Sequence, residues 1–127
     1  MASELRVNTL KDASGNNSVA TSVVAQGSLK GFAFYQQSLN TLGSTFNIAS
    51  ATDNATGDAH LNLTNSVNTA NEPHTGSGVG AANTTVVGYE AGSDSTTSSR
   101  RYNTTNSAAS DALSDANSYT LIGGDLA

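Results

Sequence analysis

Residues 46–65 read FNIASATDNATGDAHLNLTN, and the fold class turns on how this stretch is understood. On its first arm Phe46, Ile48 and Ser50 alternate with Asn47 and Ala49. On its second, Ala59, Leu61 and Leu63 alternate with His60, Asn62 and Thr64. Period-two alternation is the mark of a half-buried strand. Between the arms lies TDNATGD, residues 52–58, dense in residues that bend backbone. The pattern predicts a β-hairpin. The same segment offers oxygens from Asp53, Asn54, Thr56 and Asp58, and oxygen ligands suit calcium. However, Gly57 falls late for a calcium loop and no glutamate follows until Glu72. A turn accounts for every residue: Asp and Asn bond nearby backbone, while Gly57 supplies positive φ beside a bulge. The segment is read as a turn.

Working outward, ELRVNTL (4–10) sets Leu5, Val7 and Thr9 on one face of a strand. KDASGNNS (11–18) is a turn cluster, and VATSVVAQG (19–27) is a short β-branched run ended by Gly27. LKGFAFYQ (29–36) puts Leu29, Gly31, Ala33 and Tyr35 opposite Lys30, Phe32, Phe34 and Gln36. Apolar groups on both faces place this strand centrally or at a subunit contact. SLNTLGS (38–44) reads as a connection into the hairpin. Residues 65–84 are nearly all turn formers and read as a long surface loop. TTVVGYEAG (84–92) is a strand whose Gly88 marks a bulge. STTSSRRYNTT (95–105) reads as an extended edge strand, and SDALSDAN (110–117) as one helical turn. SYTLIGGDLA (118–127) closes the chain with a strand. Strand signals about 10 residues apart predict an all-β fold, a small antiparallel β-sandwich or barrel.

Strong hydrophobes are scarce in these 127 residues: three Phe, four Tyr, no Trp and one Met. Alanine supplies much of the apolar share and buries little area. At about 25 cal/mol per Å² of apolar surface, such a core offsets conformational entropy thinly. Only 12% of residues are charged and the net charge is −5, too little self-repulsion for a disordered chain. A core completed by neighbouring subunits is the expectation.

There is no cysteine, hence no disulfide framework or thiolate metal site. No run approaches a membrane span, and MASELRVNTLKD has no apolar signal core. Membrane insertion and signal-peptide export are not expected. Five basic residues, with Arg100–Arg101 as the only basic pair, give no phosphate-tracking patch, so nucleic acid is not an expected partner. His60 falls on the outer side of a strand, and His74 follows Pro73 in a loop. Neither has a nearby nucleophile motif or metal-ligand spacing. GSGVG (76–80) lacks the lysine and helix of a phosphate loop. Arg100 and Arg101 beside Tyr102 suit a carboxylate clamp or an exposed charged edge equally. An enzyme is not expected, nor any cofactor or metal.

Three stretches and the chain's last four residues share a resemblance. ELRVNTLKDASGNNSVA and VVAQGSLKGFAFYQ resemble the opening of small structural and fibre-like virion proteins of marine tailed phages, cyanophages especially. Residues 45–64, TFNIASATDNATGDAHLNLT, are similar in order and spacing to a segment that follows in those proteins, and the terminal GDLA resembles their usual ending. Departures concentrate between residues 66 and 118. The resemblance implies a virion component, compact, β-structured and commonly trimeric, without cofactor or reaction. Residues 1–27 then form an N-terminal docking strand with its connection, and 28–127 the β-sandwich domain. The docking side chains are Leu5, Val7 and Leu10; Phe32 and Phe34 make the subunit contact. Expected partners are two further copies of the chain and other virion proteins, the major capsid protein first. A host surface glycan is a partner if the protein sits on the tail.

Overall fold

The computed structural model describes residues 6–15, 17–71, 73–79, 85–88, 95–106 and 112–127. The fold is mostly β, built from antiparallel sheets. The opening hairpin is β5 (Ile48–Ala55) and β6 (Asp58–Leu63), turning through Thr56 and Gly57. Gly57 takes φ +67°, and the register shifts between Asp53 and Ala55, a bulge beside the glycine. Both features follow from the turn reading. The turn is tighter than expected, because β5 carries Asp53 and Asn54 within the strand.

The second expected strand is β3 (Gly31–Gln36), with Gly31, Ala33 and Tyr35 buried and Phe32 exposed on the other side. It lies inside a four-stranded sheet. On one side it pairs with β4 (Thr41–Phe46), and on the other with β11 (Asn117–Ile122), which pairs in turn with β7 (His74–Val79). The other main sheet sets β5 and β6 beside β9 (Ser99–Asn106). That strand also pairs with β8 (Thr85–Gly88) and with the two-residue β10 (Ala112–Leu113). A separate small hairpin, β1 (Thr9–Lys11) with β2 (Ser18–Ala20), precedes a seven-residue helix, α1 (Thr21–Gly27).

Five local expectations are corrected. Residues 19–27 are not one β-branched run: Thr21 gives its N–H to Asn8 O, and its hydroxyl lies within bonding distance of Val7 O and Asn8 O. The β1–β2 ladder ends there and α1 begins. The stretch 38–44 is not only a connection. A 3₁₀ turn over Gln37–Leu39, with Asn40 at φ 47°, reverses the chain so that β4 returns along β3. The supposed long loop contains β7, whose Gly76 and Gly78 sit opposite Thr120 and Ser118 of β11. Residues 112–113 form a strand rather than a helical turn. Finally, β9 is not an edge strand along its whole length: β6 pairs with Ser99–Asn103 and β8 with Asn103–Asn106, and the strand carries Arg100 into the interior at 0% exposure.

One core lies between the inner faces of the two main sheets. Ala33, Tyr35 and Ile122 come from the four-stranded sheet, and Ile48, Ala59, Leu61, Leu63 and Tyr102 from the other. Polar bonds cross it as well. Ser118 Oγ on β11 donates to the Tyr102 hydroxyl on β9 at 3.0 Å, and burial holds that phenol well above its ordinary pKa. Gln37, 1% exposed, directs its amide nitrogen at Asp53 Oδ1, Ala55 O and Asp58 O, and its oxygen faces the Thr104 hydroxyl at 3.2 Å. Thr120 is the exception: its buried hydroxyl has no partner among the described residues. An unmade hydrogen bond in a core costs about 1–3 kcal/mol. Thr120→Val keeps the shape and is expected to raise stability by about 1 kcal/mol, read as a higher midpoint of thermal or urea unfolding.

Candidate functional site

Strand alternation gives each main sheet an outer face, and the two outer faces differ chemically. Along β5, β6 and β9 the face is polar. Asn62 Nδ2 donates to the hydroxyls of Ser50 and Thr52 at 3.0 and 3.1 Å, and Asn54 Nδ2 lies 2.7 Å from His60 Nδ1. Asp58 anchors its end. Arg101 donates through Nε to Asp58 Oδ1 at 2.8 Å and through one terminal nitrogen to Oδ2 at 2.7 Å, a fork-to-fork pair.

Asp58 faces Arg101, whereas Asp53 accepts from Gln37. Among the described residues no three His, Cys, Asp or Glu side chains converge as a metal site would require. The hydrogen bonds from Arg101 hold the Asp58 carboxyl below its ordinary 3.8, with burial opposing and Asn54 assisting. Because the folded pKa is depressed, the stabilisation is complete above the unfolded value and is lost as pH falls through the folded one. Stability is therefore expected to drop on acidification below about pH 4. Arg101→Gln should flatten that acid limb in unfolding midpoints measured across pH.

The outer face of β4, β3, β11 and β7 carries an aromatic patch bordered by neutral polar side chains, among them Gln36, Asn117, Thr75 and Ser77. None of these four strands contains Asp, Glu, Lys or Arg. Phe46, Phe32 and Leu121 occupy one cross-strand row, since Phe32 is registered with both others. Phe34 and Tyr119 form the adjacent row. The Phe32 and Phe46 rings lie 6.1 Å apart, and those of Phe34 and Tyr119 stack at 4.7 Å. Gly43 permits this packing, because a Cβ there would come within 2.8 Å of the Phe34 ring. Phe46 is 53% exposed, Tyr119 49%, Leu121 43% and Phe32 38%. Contiguous exposed apolar side chains of this kind mark contact surfaces.

Phe32 and Phe34, the expected subunit contact, thus share one face with Phe46, Tyr119 and Leu121. Reading one strand at a time missed these three, because the patch forms only when β4, β3 and β11 lie side by side. Of the expected docking residues, Leu5 lies outside the described residues. Val7 precedes β1 and Leu10 lies on it, both exposed. The strand starts at Thr9, later than the alternation from Leu5 implied. Arg100, weighed as a clamp, points inward; its guanidinium donates to the carbonyls of Thr96, Ser99 and Thr69. Comparison with protein-family models, curated proteins and solved structures gives no match.

Proposed function

We propose that this chain is a non-enzymatic accessory structural protein of a tailed-phage particle, a knob or cement on the capsid, acting as a trimer of small β-sandwiches. The observation that carries the reading is the uncharged patch of Phe32, Phe34, Phe46, Tyr119 and Leu121 on the outer face of one sheet. Burying one such large side chain contributes about 1.5–3 kcal/mol, which is what a subunit with a thin core gains by assembling. The N-terminal segment 4–10, with Leu5, Val7 and Leu10, is the docking element for a capsid protein, adding main-chain hydrogen bonds and apolar side chains to a partner's sheet. The resemblance of residues 4–20 and 45–64 to phage structural proteins supports the same assignment.

Side-chain-resolution density of the intact particle tests it. Density repeated over the icosahedral shell and fitting this sequence is the expected result; its absence from the shell overturns the capsid assignment. Deleting residues 1–12 is expected to abolish incorporation into particles while the remainder stays folded. Unchanged incorporation would remove the docking role.

A second reading has its own observation. The polar face of Ser50, Thr52, Asn54, His60 and Asn62 offers amides and hydroxyls to a host surface glycan, as a tail fibre or tip requires. Density confined to the tail would favour it.

A further inference from the structure

We infer that residues 18–29 of one copy pack onto the aromatic outer face of the next, so that each contact joins two unlike surfaces and the copies close into a ring. This rests on the self-association proposed above and specifies its geometry.

Four observations lead there. The first is chemical. With no charged residue on β4, β3, β11 or β7, whatever covers this face cannot bring an unpaired charge without a large desolvation cost. The second is a matching surface in the same chain. Residues 13–29, ASGNNSVATSVVAQGSL, contain no charge, and Val19, Val23, Val24 and Leu29 are exposed by 37–58%. The other large exposed face does not match, since it carries Asp58, His60 and Arg101.

The third observation concerns what holds the segment in shape. None of the described residues from 6 to 29 is buried. Three-residue strands and a seven-residue helix have little stability in water by themselves. Tethers to the body exist: Lys30 Nζ donates to Ala25 O and, at 2.8 Å, to Ser28 Oγ. They fix the base of the segment but bury none of its valines. The fourth observation is continuity. Leu29 shares a shallow groove with Leu121 and Pro73, so the segment leaves the body at the rim of the aromatic face. It is placed to reach over a neighbour's equivalent face.

Symmetry selects between this arrangement and a simpler one. Two aromatic faces meeting each other make a twofold, isologous dimer, whereas a ring of three needs head-to-tail contact between different surfaces. The segment and the face supply such a pair.

Complementation in solution tests the inference on the full chain. One variant carries Val23→Asp and Val24→Asp; the other carries Phe32→Glu and Leu121→Glu. Each alone is expected to sediment as a monomer. Mixed in equal amounts, they are expected to form a dimer, because one intact segment then meets one intact face and the ring cannot continue. A segment variant that assembles like the unmodified chain, or a mixture that stays monomeric, overturns the inference. A monomeric unmodified chain overturns the self-association itself, a separable outcome.

A second measurement does not depend on charged substitutions. The chain has no cysteine, so Val24→Cys and Leu121→Cys in separate copies supply the only thiols. Oxidation of the mixture should give cross-linked heterodimer well above what either gives alone. Homodimers of the Leu121→Cys chain as the main product would show face-to-face pairing and overturn the head-to-tail contact.

Discussion

Replacing Gly57 with alanine is expected to destabilise the protein by about 3–5 kcal/mol. Two independent effects combine. At φ +67° an L-residue is strained, which costs about 1–2 kcal/mol. In addition, the new Cβ would lie 2.5 Å from Thr104 O and 2.6 Å from Ser114 N. These are backbone atoms, and they belong to a closed set of bonds. Thr104 N donates to Gly57 O at 2.8 Å, Ser114 N donates to Thr104 O at 3.0 Å, and Gly57 N donates to Asp115 Oδ1 at 2.8 Å. Making room means prising the hairpin turn away from β9 and the segment after β10. Overpacking of this kind adds about 1–3 kcal/mol, beyond any hydrogen bonds that break. Against a typical domain stability of about 5–15 kcal/mol, the variant should melt far below the unmodified chain. Gly27→Ala is the control. Its Cβ meets nothing within 4 Å and its φ is not positive, so its effect should stay within about 0.5 kcal/mol. An unchanged melting temperature for Gly57→Ala would mean that the turn does not close on β9 as described.

Asn47→Ala is expected to cost about 3 kcal/mol. Asn47 is the single residue between β4 and β5, where the chain leaves one sheet and enters the other. It adopts φ 57°, a conformation that asparagine tolerates better than most side chains. Its amide then stitches the corner. Nδ2 donates to Lys30 O at 2.8 Å and to Asn65 O at 3.1 Å, and Oδ1 accepts from Asn65 N at 2.7 Å. The corner is thereby tied to the start of β3 and to the end of β6. Alanine loses these bonds, two of them exposed and the three together about 2 kcal/mol net, and adds left-handed strain of about 1 kcal/mol. Asn47→Gly loses the bonds but not the backbone freedom, so it should be milder by about 1 kcal/mol. Urea unfolding of the pair reads the difference directly. Equal losses would show that strain plays no part at this corner.

The two sites show how legible the sequence was. Gly57 was visible, because TDNATGD between two alternating arms has no other economical reading. Its severity was not, since the atoms it would strike come from residues 104 and 114. Asn47 gave no signal at all: within FNIAS it occupies an ordinary polar position of the alternation. The same holds for the aromatic face. Phe32 and Phe34 stood out within one strand, while Phe46, Tyr119 and Leu121 joined them only through the β3–β4 and β3–β11 registers.

Sequence alone determined the elements whose alternation is strong: β3, the β5–β6 hairpin and β11, and with them a mostly β chain poor in large hydrophobes. Tertiary structure decided the rest, because weak local preferences are settled by pairing. HTGSGV becomes a strand only because β11 offers it a ladder, and TLGSTF only because Asn40 turns it back along β3. SRRYNTTN takes its place inside a sheet because β6 pairs with its first half and β8 and β10 with its second. Which faces end up outward, one polar and one aromatic, depends on which strands become neighbours. Backbone hydrogen bonds between distant segments made that choice, and no period within a single segment encodes it.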